Sequence, residues 1–150
     1  MRASDQIRQF MMDQEGFRDT AYKPLPTDRW TYGYGTTYKL DGSPVNEGDI
    51  ISQEDAASIF NKTLDNLAIR ISYLTNPACT QNQFDAFLSL CYNIGFTGVT
   101  TSTTGQMFHN GEDIADRFLL WDKSGGQVVQ GLVNRRQKER NIYLNGDYSS

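Results

Sequence analysis

Residues 15–37 read EGFRDTAYKPLPTDRWTYGYGTT, and the change of pattern inside this stretch decides the fold. Just before it, Ser4 is a capping residue, Asp5 places negative charge in a first turn, and Ile7, Phe10 and Met11 recur at i, i+3 and i+4. That spacing predicts a short amphipathic helix, which Gly16 ends. From Phe17 to Leu40 the residues become aromatic and Thr-rich, broken by Pro24, Pro26, Gly33, Gly35 and the turn Asp41-Gly42. A run of this kind predicts a small antiparallel sheet.

Beyond the sheet the helical period returns. Ser52 caps a segment in which Ala56, Ile59, Phe60, Leu64, Leu67, Ile71 and Leu74 follow a 3.6-residue repeat, long enough to connect two lobes. After Pro77, Thr80 and Gln83 form a capping box ahead of Phe84, Ala86, Phe87, Leu88, Leu90, Cys91 and Ile94, so this helix is apolar nearly all round and is expected at the centre of a helical lobe. Further helices are expected around Gln106–Phe108, Glu112–Trp121 and Leu132–Leu144, separated by Gly-containing turns. The reading is one cooperative domain of α+β class over residues 1–150: a β lobe over 16–50, a connecting helix over 52–75, and a helical lobe over 80–150 that takes in the N-terminal helix 4–15.

Composition narrows the function. The 150 residues are 38% hydrophobic and 21% charged, enough to form a core and too polar for a membrane protein. Fourteen basic and eighteen acidic side chains give a net charge of −4, which argues against a broad phosphate-binding surface and hence against a nucleic-acid partner. The single His109 leaves no Cys/His/His zinc set and makes a Ser-His-Asp triad a poor fit, so neither metal nor cofactor is expected. Cys79 and Cys91 are twelve apart, and Cys91 falls among core positions as a free thiol. Met1 to Gln14 lacks the apolar run of a signal peptide or membrane anchor.

Glu15 is the most informative ionisable residue. A carboxyl at the tip of a helix, where the chain turns into a sheet, is expected to project into a groove between two lobes, and glycoside hydrolysis needs an acid there to protonate the leaving sugar oxygen. The plainer alternative is an exposed helix-terminal acid.

The motifs taken together are more specific. Glu15-Gly16, Ala21-Tyr22 and Trp30 through Thr37 resemble the signature of phage-type lysozymes, the endolysins of glycoside hydrolase family 24. Gln81 through Phe87 with Tyr92-Asn93-Ile94-Gly95 resembles their central helix, and Trp121 with Gly131 through Arg140 their closing helix, in the same order and across essentially the whole chain. The resemblance implies a lysozyme-like fold and a muramidase that cleaves the β-1,4 bond between N-acetylmuramic acid and N-acetylglucosamine in bacterial peptidoglycan. It also implies a monomer with no stable membrane association, made in the host cytoplasm and reaching the periplasm and cell wall after release by a holin-type partner.

Site residues follow from the same match. The family carries a Glu, an Asp nine residues later and a Thr six beyond that. Here Pro24 stands nine after Glu15, and Thr31 stands sixteen after it, so the loop Lys23–Arg29 carries one additional residue. The catalytic expectation is therefore Glu15 as acid, Thr31 as the residue that holds water or substrate, and Asp28 as the replacement second carboxylate; a solvated turn aspartate is the even alternative for Asp28. Asp19 is expected at the surface. Tyr32 and Tyr34 are expected to line a sugar groove, with structural strand aromatics as the alternative. Asn93 is expected to bond an acetamido group, or else to cap its helix. Arg135 matches the family Arg near the acid, or else pairs with Glu139 on an exposed helix face. Two rival functions remain: a lytic transglycosylase on the same polymer, and a peptidoglycan-binding protein that has lost its base.

Overall fold

The computed structural model describes all 150 residues, and the chain divides into two compact units, one of Met11–Leu64 and one of Met1–Phe10 with Asp65–Ser150. The division runs through two helices, α1 (Asp5–Glu15) and α2 (Gln53–Ser72). Both begin as their sequences predict. The Ser4 hydroxyl accepts the Ile7 N–H at 3.1 Å, and the Ser52 hydroxyl accepts the Asp55 N–H at 3.1 Å, each satisfying an N–H that has no partner within its helix.

In the unit Met11–Leu64, β1 (Arg18–Tyr22) pairs antiparallel with β2 (Thr31–Gly33), with Arg18 opposite Gly33, Tyr22 opposite Thr31 and an irregularity between them. Isolated bridges Thr20–Ile50, Tyr32–Thr36 and Tyr38–Pro44 extend this pairing. The sheet is smaller than the composition of residues 16–50 suggests, because side chains close the turns that follow. Asp41 accepts from both the N–H and the hydroxyl of Ser43, and Asp49 accepts the Asn46 N–H at 2.7 Å. The interior holds Tyr32, Tyr34, Val45, Ile51, Phe60 and Leu64.

The second unit is built around α3 (Gln81–Ile94). Thr80 and Gln83 form the full capping box, and every residue from Phe84 to Cys91 is buried. α6 (Gln130–Asn145) lies along α3, and a 3₁₀ helix at Ala115–Leu120 lies against α6. Phe87 of α3 stacks on Phe108 of α5 (Thr103–His109), with ring centroids 3.9 Å apart. Asp85, fully buried, accepts from the Ser4 N–H and hydroxyl, the Gln81 amide and the Tyr148 hydroxyl, and so ties both chain termini to α3.

Three elements depart from the sequence reading. The helix expected over 112–121 is the shorter 3₁₀ segment, which starts after the Asp113 side chain has accepted the Ala115 N–H at 2.9 Å. A five-residue helix, α4 (Phe96–Thr100), fills what reads as a turn after Gly95. Residues 122–129, also read as a turn, form a hairpin of β3 (Lys123–Ser124) and β4 (Gln127–Val128) across Gly125-Gly126. Cys79 and Cys91 are both free thiols, and burial pushes Cys79 up to about 11.

Candidate active site

Glu15 is the last residue of α1. Gly16 follows it in the left-handed region at φ 68° and donates its N–H to the Met12 carbonyl at 2.9 Å, a helix ending that residues with a side chain adopt at a cost. The Glu15 side chain is half-buried. What covers it comes from the far end of the 15–37 stretch. A Cβ built on Gly35 would stand 3.1 Å from Glu15 Oε2 and 3.6 Å from its Cδ, so the Gly35 backbone lies directly against the acid. Gly35 has φ 82° and belongs to the tight turn whose ends are the reciprocal Tyr32–Thr36 backbone bonds, both 3.0 Å. Gly-Tyr-Gly thus has a local reason and a tertiary one, and only the first is visible in sequence.

Thr31, on β2, is 6% exposed and donates its hydroxyl proton to the Arg29 carbonyl at 3.0 Å. Its hydroxyl oxygen keeps lone pairs that can accept from a water or sugar. Asp28 holds its own loop together: Oδ2 accepts the Leu25 N–H at 2.9 Å, and the Asp28 N–H returns to the Leu25 carbonyl at 2.9 Å. This is the turn chemistry of the plainer alternative, and it occupies one oxygen only; no protein donor reaches Oδ1. Asp19 is exposed, as expected.

Tyr32 and Tyr34 are corrections. They are 4% and 7% exposed, and the Tyr34 ring packs between Phe17 and Phe60, with centroids at 5.6 and 5.9 Å. Rings so enclosed are core, as in the alternative of structural strand aromatics, and not open faces for sugar stacking. The Tyr34 hydroxyl still accepts from the Gln53 amide at 3.3 Å, and burial pushes the Tyr32 phenol up.

Asn93 and Arg135 lie in the helical unit. The Asn93 side-chain oxygen accepts from Arg136, and the cap position belongs to Gly95. Arg135 pairs with Glu139 at 3.3 Å and donates to the Ser89 hydroxyl at 3.3 Å, while Ser89 in turn donates to Glu139. The i,i+4 pair exists, but on a buried face: Arg135 is 5% exposed, and Arg136 and Glu139 are not exposed at all. Arg136 Nε is 2.8 Å from Glu139 Oε1, a charge contact that lacks hydrogen-bond alignment. The buried roles of Arg136 and Ser89 have no local sequence signal beyond a serine within a mostly apolar helix.

No three His, Cys, Asp or Glu side chains come together as a metal site. A small antiparallel sheet entered from a helix that ends in a half-buried glutamate, followed by a helix-dominated unit, defines an α+β chain of lysozyme-like class. A sequence profile places it more narrowly: the chain belongs to the phage lysozyme family, matched over residues 12–139. It is 38% identical over 136 residues to the endolysin of Bacillus phage B103, covering 89% of this chain and 50% of that protein. To the endolysin of Salmonella phage P22 it is 35% identical over 136 residues, covering 87% and 90%. The solved endolysin from Escherichia coli O157:H7 phage FAHEc1 aligns with a TM-score of 0.88 at 30% identity, over 100% of this chain and 98% of that one. The chain spans about half the length of the Bacillus phage endolysins it matches.

Proposed function

We propose that this chain is an endolysin-type muramidase, which hydrolyses the β-1,4 bond between N-acetylmuramic acid and N-acetylglucosamine in bacterial peptidoglycan with Glu15 as general acid. The observation that carries the reading is the seating of Gly35 against Glu15, which brings the candidate proton donor against the Trp30–Thr37 part of the family signature. The family match, with endolysins among its relatives, supports the substrate.

In this mechanism the C1–O bond of the muramic residue breaks, its electron pair moves to the leaving oxygen, and that oxygen takes the Glu15 proton. A water attacks C1 and gives up its proton to Asp28, whose Oδ1 has no protein donor. Inversion of this kind suits carboxyl groups roughly 6.5 to 9.5 Å apart. Thr31, its own proton committed to Arg29, accepts a bond from that water and orients it. Asn93 and Arg135 belong to the buried network of the helical unit, through Arg136 and through Ser89 and Glu139 respectively. Release to the wall by a holin-type partner completes the proposal; no helix of the structure is long and apolar enough to cross a membrane.

Pro24 at the position of the family Asp, and an Asp28 already engaged by its own turn, favour one second reading: a transglycosylase in which the muramic hydroxyl closes on C1 without water. Mass spectrometry of products from purified peptidoglycan tests both. Hydrolysis yields reducing muramic ends, anhydro ends establish the second reading, and the absence of soluble products removes the activity.

A further inference from the structure

A hollow of about 310 Å³ opens in the unit Met11–Leu64, beside the loop that carries Asp28. Trp30, Pro44 and Val45 give it apolar walls, and Lys23 and Arg29 stand at it as cations. Acidic residues outnumber basic ones, yet neither Lys23 nor Arg29 pairs with a carboxylate. Each rests instead on an aromatic face: Lys23 Nζ is 5.2 Å from the Trp30 ring centroid, and Arg29 Cζ is 5.5 Å from that of Tyr38, whose hydroxyl also accepts from Arg29. An aromatic face holds a cation in place without neutralising it. Lys23 and Arg29 together outweigh the one acid at the hollow, Asp28, so the rim is net positive over an apolar floor.

Such a site takes a ligand with a carboxylate on a short apolar body. The glycan strands of peptidoglycan are uncharged sugars, whereas the stem peptides attached to muramic acid carry the carboxylates, on residues with methyl and methylene groups. We infer that the hollow bounded by Lys23, Arg29 and Trp30 binds a carboxylate of the peptidoglycan stem peptide, so that the loop holding the candidate base also reads the peptide on the muramic residue. The inference rests on the muramidase reading for its substrate, and its test is a binding measurement that does not depend on turnover.

The folded Glu15→Gln protein, labelled with 15N, is titrated with free stem tetrapeptide while the Trp30 indole N–H is followed by NMR. The Trp30 signal is expected to shift in a saturable way, and K23Q/R29Q is expected to raise the Kd roughly three- to tenfold, the effect of two exposed charge contacts. The same peptide with its carboxylates amidated is expected to bind as weakly to the unsubstituted hollow as the acid form does to the double variant. No Trp30 shift, equal binding of the acid and amidated peptides, or a shift produced equally by peptide-free chitotetraose would each overturn the assignment. Loss of muramidase products from the wild-type protein, with peptide binding intact, would strike the catalytic reading and leave this site standing.

Discussion

Replacing Gly35 with Ala separates the two reasons for that glycine. Gly35 sits at φ 82°, where an L side chain costs about 1 to 2 kcal/mol, and the new Cβ would also stand 3.1 Å from Glu15 Oε2. Gly42 provides the control: at φ 86° in the same unit, with nothing within 4 Å of its Cβ, Gly42→Ala carries the backbone strain alone. The atom that Gly35→Ala meets is the end of a flexible side chain, so the carboxylate rotates away by a few tenths of an ångström instead of unfolding the sheet. The two variants are thus expected to lose similar stability in urea unfolding, each about 1 to 2 kcal/mol. Their activities are expected to diverge. Gly42→Ala should clear peptidoglycan at close to the wild-type rate, whereas Gly35→Ala should be slower by at least about tenfold, given that misplacing a catalytic group by 1 Å costs on the order of 100-fold. Equal turbidity-clearing rates for the two variants would show that Gly35 does not frame the acid.

Three further outcomes follow from the geometry. Asp28→Asn keeps an oxygen for the Leu25 N–H but removes the charge, so the fold should persist while hydrolysis falls by roughly 10² to 10⁴; undiminished clearing would make Asp28 a turn residue only. Glu139→Ala strips the acid from two buried arginines and should cost about 3 to 5 kcal/mol in denaturant unfolding; a loss below about 1 kcal/mol would contradict the buried charge network. The Asn46 N–H and then Lys39 hold the Asp49 carboxyl below its usual range. A lowered folded value contributes stability above the unfolded carboxylate value, about pH 4, that is lost as pH falls through the folded one. The fall in melting temperature below pH 4 should therefore be shallower in Asp49→Asn, and an unchanged pH profile would show that the Asn46–Asp49 turn adds nothing.

Much of the fold is legible where the determinants are local. Ser4 and Gly16 bound α1, and Thr80 with Gln83 starts α3, because capping depends on residues within one turn of the chain. The β region is over-read for the same reason: its aromatic and Thr content is that of strands, but Asp41 and Asp49 bind nearby N–H groups and make turns. The aromatic faces of Tyr32 and Tyr34 suit a sugar groove, but nothing local in the sequence reports that Phe17 and Phe60 enclose the Tyr34 ring or that Tyr32 is buried. The alternative for Arg135, an exposed pair with Glu139, has the right spacing and the wrong burial, since nothing at i,i+4 spacing reports that the pair lies against Ser89, forty-six positions earlier than Arg135. Glu15 was identified by position and motif, while its contact with Gly35 needed the turn of the sheet to be seen.

Glu15→Gln tests the core of the account most directly. The variant should unfold like wild type in denaturant and release no soluble muropeptides from purified peptidoglycan, while wild type releases them under the same conditions. Muropeptide release by folded Glu15→Gln protein at the wild-type rate would place the proton donor elsewhere.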